Sequence, residues 1–83
     1  MARLTTEPVA PEDILAVITT PQLKHAAKAV WMYLRVTADP PSQRAIAEAL
    51  HMDEGTVSRL VRALEAKGLA RKANGVWLPE LER

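Results

Sequence analysis

The chain has 83 residues, a formal net charge of +1 and no cysteine, which allows one domain with a modest core and excludes a disulfide framework or a thiolate metal site. No apolar run approaches the ~20 residues of a membrane helix, and the N-terminus, with one Arg and no long apolar stretch, is unlike a secretory signal; the expectation is a cytoplasmic protein that makes no membrane contact. Charge is unevenly placed: residues 1–41 carry four basic and four acidic groups, whereas Arg59, Arg62, Lys67, Arg71 and Lys72 are opposed between positions 59 and 72 by Glu65 alone, a distribution that a binding face would show but that charge alone does not distinguish from an ordinary solvated surface.

Residues 1–10 hold Arg3, Thr5, Thr6, Glu7 and Pro8 with little to bury and read as a flexible arm. Pro11, followed by Glu12 and Asp13, sets φ and places acids in the first turn of a short helix, Pro11–Ile18. In the "TTPQ" that follows, Thr20 suits a cap and Pro21 the first position of a second helix, reaching about Thr37, with Leu23, Ala27, Val30 and Leu34 at helical spacing. Asp39-Pro40-Pro41 stops it. Ser42 is the expected N-cap of a helix from Gln43 to Leu50, with Ile46, Ala47 and Leu50 inward.

"HMD" is a tight turn, and Asp53 is the expected N-cap of a helix over about 54–66, accepting from the N–H of Gly55 or Thr56. Val57, Leu60, Val61 and Leu64 form its buried stripe, and Gly68 supplies the left-handed residue that ends it. "LARKANGVWL", 69–78, reads as strand, turn and strand about Asn74-Gly75, both of which tolerate positive φ, and Pro79 closes the second strand. Residues 80–83 form a tail. Two short helices joined by a three-residue turn and followed by a tight hairpin make a winged helix-turn-helix. The expected fold class is mainly α with a small β-hairpin, as a single domain over 11–79.

The stretch "SQRAIAEALHMDEGTVSRLVRALEAKGLARKANGVWL", Ser42–Leu78, resembles the winged helix-turn-helix of MarR-type bacterial transcriptional regulators. The most telling parts are "AIAEAL", "TVSRLVRALEAKGL" and the wing, and "AVWMYL" is similar to the family's first domain helix. The resemblance implies the winged-helix fold and DNA binding through the helix Glu54–Ala66, and it brings no ligand. The chain departs from the family in three places. His51 stands where the family usually has Gly, a residue type tolerated at positive φ. The wing tip has two residues, and five residues follow Leu78 where the family has long dimer-building helices.

With the stripe turned inward, Gly55, Thr56, Ser58, Arg59, Arg62 and Ala66 form the outer face. Arg59 is the base-reading candidate, since its fork matches guanine O6 and N7. Arg62 suits a phosphate, and Thr56 and Ser58 suit phosphates or bases. Gly55 lets the backbone approach the groove. Glu54 either complements the helix dipole or accepts from a cytosine N4 amine, while Asp53, as a cap, is expected to face away from DNA. Gln43 and Arg44 can hold a phosphate at the start of the preceding helix. Arg71 and Lys72 flank the wing tip and, on adjacent strand positions, face opposite ways, so one of them is expected to engage backbone or minor groove.

Other chemistry is not expected. His25 and His51 stand apart, so no metal site is foreseen. Ser58 has no His partner and no acid, base and nucleophile converge, so no catalytic residue, enzyme activity or cofactor is expected. The chain is too short for a sizeable small-molecule pocket beside its core. Trp31 and Trp77 lie among apolar neighbours and read as core.

The function these features imply is sequence-specific binding of double-stranded DNA by a bacterial transcriptional regulator, with the recognition helix in the major groove and the wing on the backbone or minor groove. Two alternatives stay open: a plasmid or phage replication or partition protein, and a winged helix used for protein–protein contact. A homodimer is expected, built by the region before the winged helix. Ile14–Ile18 has more apolar residues than a short helix can turn inward, and Met32 and Tyr33 can extend the patch; the alternative is that Ile14–Ile18 caps the core of a single chain.

Overall fold

Short amphipathic helices cannot bury their apolar faces separately, so they close on one another. The computed structural model describes residues 3–81. It places α1 at Pro11–Ile18, α2 at His25–Val36, α3 at Gln43–Leu50, α4 at Glu54–Ala66, β1 at Ala70–Ala73 and β2 at Val76–Pro79. The architecture is mainly helical with one antiparallel hairpin. The Cα radius of gyration is 11.7 Å, close to the ~12 Å of one compact domain of this length.

Local chemistry accounts for most element ends. Ser42 caps α3, its Oγ accepting from the Ala45 N–H at 3.2 Å. α3 stops on His51, which takes the left-handed conformation at φ 56°, ψ 45°; the imidazole side chain is accommodated where Gly is usual. At the other end of α4, Gly68 turns left-handed at φ 72°. Its N–H donates to Glu65 O at 3.0 Å and that of Leu69 to Leu64 O at 2.8 Å, satisfying the last carbonyls. The pairing Ala73↔Val76 leaves Asn74 and Gly75 as the tip, at φ 52° and 78°, the two positive values a two-residue hairpin turn requires.

The second helix starts later than expected. The sequence places Pro21 at its first position with Thr20 as cap, but α2 begins at His25. Pro21 and Gln22 form a turn in which Gln22 has φ 62°, a value a right-handed helix cannot contain. Thr20 Oγ1 donates to Ala16 O at 2.7 Å and Thr19 Oγ1 to Leu15 O at 2.7 Å. Both threonines therefore finish α1 rather than open α2. The Lys28 ammonium donates to Ile18 O and ties the end of α1 to α2.

α4 lies at the centre, packed on α2, α3 and β1. Val57, Val61 and Leu64 are fully buried and Leu60 nearly so, against Ala27, Val30, Trp31, Leu34, Ile46 and Trp77. Each buried Val or Leu contributes about 1.5–3 kcal/mol, against about 1 kcal/mol for a cap, so the stripe holds α4 more firmly than its termini do. The Trp77 N–H donates to Pro41 O at 2.8 Å, which sets the wing beside the start of α3.

The first and last described residues pack on this body. The arm read as flexible is tied down in its described part: Leu4 bridges Thr37, the Thr5 N–H donates to Val36 O at 2.7 Å, and Arg3 pairs with Asp39 at 3.1 Å. In the tail, the Glu80 N–H donates to Leu69 O at 2.9 Å and Trp31 Nε1 donates to Glu80 O at 3.1 Å. Residues 1, 2, 82 and 83 lie outside the described part.

Candidate nucleic-acid interface

Burial of Val57, Leu60, Val61 and Leu64 turns the other face of α4 outward. Glu54, Gly55, Arg59 and Arg62 are exposed, and Thr56 and Ser58 are half-buried at its flank. These six candidates thus share one helix surface. Ala63, Ala66 and Lys67 are exposed on the same helix and its end.

The first turn of α4 differs from the sequence expectation. Asp53 has the extended backbone of an N-cap, φ −81°, ψ 157°, yet its side chain accepts no capping hydrogen bond. The carboxylate lies over Gly55 instead: a Cβ on Gly55 would stand 3.6 Å from Asp53 Oδ2 and 4.0 Å from Arg59 Nη1. Arg59 Nη2 donates to Thr56 Oγ1 at 3.3 Å. The Thr56 hydroxyl chiefly, with smaller contributions from backbone N–H groups and the Arg59 guanidinium, holds the Asp53 carboxyl below its ordinary pKa. Asp53, expected to face away from DNA, therefore belongs to the outer surface of the helix start. The spacing of 53, 56 and 59, three residues apart each time, was the signal that could have revealed this.

The remaining candidates are less alike than the sequence suggests. Gln43 is half-buried, and the exposed Arg44 pairs along its own helix with Glu48 at 3.3 Å. Arg71 and Lys72 are both exposed, but Arg71 is held by Glu80 at 2.6 Å, whereas Lys72 meets no acid among the described residues. The bond from Trp77 to Pro41 brings this wing and the start of α3 together. Between α4 and the α2 entry runs a cleft of about 310 Å³ lined by Leu23, Ala27, Arg59, Leu60 and Ala63. Among the described residues, no three His, Cys, Asp or Glu side chains are grouped to hold a metal ion, and no helix is long and apolar enough to cross a membrane.

No curated protein and no solved structure matches the chain. A family model described as the MarR family matches residues 27–75, more than half of the chain. That segment runs from inside α2 through α3 and α4 to the tip of the wing, the elements that position the surface described above. With four helices, α4 at their centre, and an antiparallel hairpin, this chain belongs to the MarR family.

Proposed function

We propose that the chain is a transcriptional regulator that binds duplex DNA sequence-specifically, with α4 in the major groove and the wing on the backbone or minor groove. One observation carries this reading: which arginines form no ion pair. Arg3, Arg44 and Arg71 are paired with Asp39, Glu48 and Glu80, and Arg35 donates to Pro8 O at 2.9 Å. Arg59 and Arg62, both on the outer face of α4, form no ion pair among the described residues, although the Asp53 carboxylate lies near Arg59. Phosphates and guanine edges supply the acceptors such groups need, and neutralising phosphates releases counterions. A protein partner would have to bring acids of its own.

The reading includes a homodimer. Leu15 is 61% and Ile18 49% exposed, while Val17 takes the core contact; Met32 and Tyr33 are half-buried against the core, so the free apolar patch centres on α1. Glu12, Leu15 and Ile18 share a face at spacing three. In a two-fold pairing with α1 antiparallel to its copy, Glu12 of one chain meets the Lys28 that sits on the Ile18 carbonyl of the other.

The test is selection of bound sites by the full chain from random duplexes. The expected result is one preferred element, recovered as an inverted pair spaced by about 10–10.5 bp or a multiple of it. Recovery of unenriched sequence at ~50 mM salt would remove the reading.

A further inference from the structure

Asp53 is an acid on a surface that has to meet phosphates, and its carboxylate performs no capping. It shares with Arg59 the space over Gly55, where the missing side chain leaves an opening flanked by an acceptor at 3.6 Å and a donor at 4.0 Å from the absent Cβ. The two side chains form no ion pair with each other, so each keeps hydrogen-bonding capacity for a third group. Thr56 Oγ1 accepts from Arg59 Nη2 at 3.3 Å and holds the guanidinium beside the opening.

We infer that Asp53 and Arg59 together read one G·C pair in the major groove, Arg59 donating to guanine O6 and N7 and Asp53 accepting from the N4 amine of the paired cytosine. This rests on the DNA-binding reading above and names part of its sequence preference. The chemistry follows from what each pair presents. G·C offers two adjacent acceptors and then a donor, in the order this donor and acceptor require. An A·T pair offers the guanidinium a single purine acceptor, N7, and sets the thymine O4 and methyl where the cytosine amine would be. Wherever Arg59 reaches a base edge, Asp53 is dehydrated beside it. A dehydrated carboxylate needs a donor, and the cytosine amine is the major-groove donor next to guanine O6. Thr56 is a positioning residue in this arrangement.

The experiment uses the full chain and the duplex it selects. At the invariant G·C pair, cytosine is replaced by 2-pyrimidinone, which lacks the N4 amine, and binding is measured by competition. Wild type should discriminate against the analogue by about tenfold, equivalent to ~1.4 kcal/mol. Asp53→Ser, which keeps an oxygen able to cap α4, should bind both duplexes within about twofold. Arg59→Ala should lose the preference for guanine at the same pair. Unfolding midpoints establish that the variants fold. Selected sites without an invariant G·C pair, a wild type indifferent to the amine, or an Asp53→Ser variant that tightens all sequences equally would each overturn the inference while leaving DNA binding intact. A wild type that prefers no duplex would remove both.

Discussion

Arg59 donates to a neutral hydroxyl, Thr56 Oγ1, and is exposed on α4, so its charge is available to a ligand. Arg59→Ala should weaken the preferred duplex by roughly 1–3 kcal/mol and relax one base position, measured by competition between the preferred site and single-base variants. Equal loss on preferred and random DNA would reduce Arg59 to a phosphate contact. Asp53 also links folding to pH. Its folded pKa is lowered by Thr56 first and by Arg59 among lesser causes, so folding favours the ionised form. That stabilisation is fully present above the unfolded value, ~3.9, and is lost as pH falls through the lowered folded value. Wild-type stability relative to Asp53→Asn should therefore decline as pH falls through and below the ordinary carboxylate range, read as the difference in unfolding midpoint. A difference that does not change over that range would show no folding-linked ionisation.

The termini of α3 and the two strands of the wing make separable predictions at the level of the element. Ser42→Ala removes the bond to the Ala45 N–H and should cost about 1 kcal/mol of stability without changing the preferred DNA sequence, since the cap supports the turn and not the outer face of α4. His51 holds φ 56°. A β-branched residue is poorly tolerated there, so His51→Val should destabilise by roughly 1–2 kcal/mol. His51→Gly should be near neutral, because relief of the left-handed conformation is offset by greater freedom in the unfolded chain. Urea unfolding measures all three, and a Val variant as stable as wild type would show that the turn rearranges. In the wing, Glu80 already neutralises Arg71. Lys72→Gln should lower the salt slope of DNA binding by roughly 0.9, and Arg71→Gln should leave it nearly unchanged. Equal slopes for wild type and the Lys72 variant would mean the wing stands clear of the duplex.

On the scale of the whole molecule, the described segments before α1 and after β2 are joined to the body that presents α4. Arg3 and Thr5 bond the end of α2 and the segment after it, and Glu80 links Trp31, Leu69 and Arg71. The described surface then leaves Leu15 and Ile18 as the exposed large apolar side chains of α1. If these face a second copy, sedimentation of the full chain at tens of micromolar, a range suited to weak specific association, should show a dimer. Leu15→Glu with Ile18→Glu should return it to monomer while the unfolding midpoint changes little, because both positions are exposed. A wild type that sediments as a monomer would refute the α1 interface, and a double variant that stays dimeric would place the interface elsewhere.

Much of this architecture could be read from the amino-acid order because its causes are local. Pro11, Ser42, Gly68 and Asn74-Gly75 act on their own φ or on a neighbour within a few residues, and the observed ends of α1, α3 and the hairpin follow them. The stripe Val57, Leu60, Val61 and Leu64 is set by the helical period, and burying it leaves Gly55, Arg59 and Arg62 outward. What escaped the sequence depends on groups brought together by folding. Gln22 turns left-handed, so α2 begins at His25 rather than Pro21. Glu80 pairs with Arg71 across the hairpin, and Trp77 bonds Pro41, thirty-six residues earlier. The Asp53 carboxylate makes no capping hydrogen bond and lies over Gly55, near the Thr56 hydroxyl and Arg59. Composition and spacing by themselves determined most of the elements and their inward faces, since dihedral preference and apolar period are properties of short segments. Which charges stay free for a ligand was decided only in the tertiary structure, because a charge is neutralised by whatever acid the fold brings within a few ångströms of it.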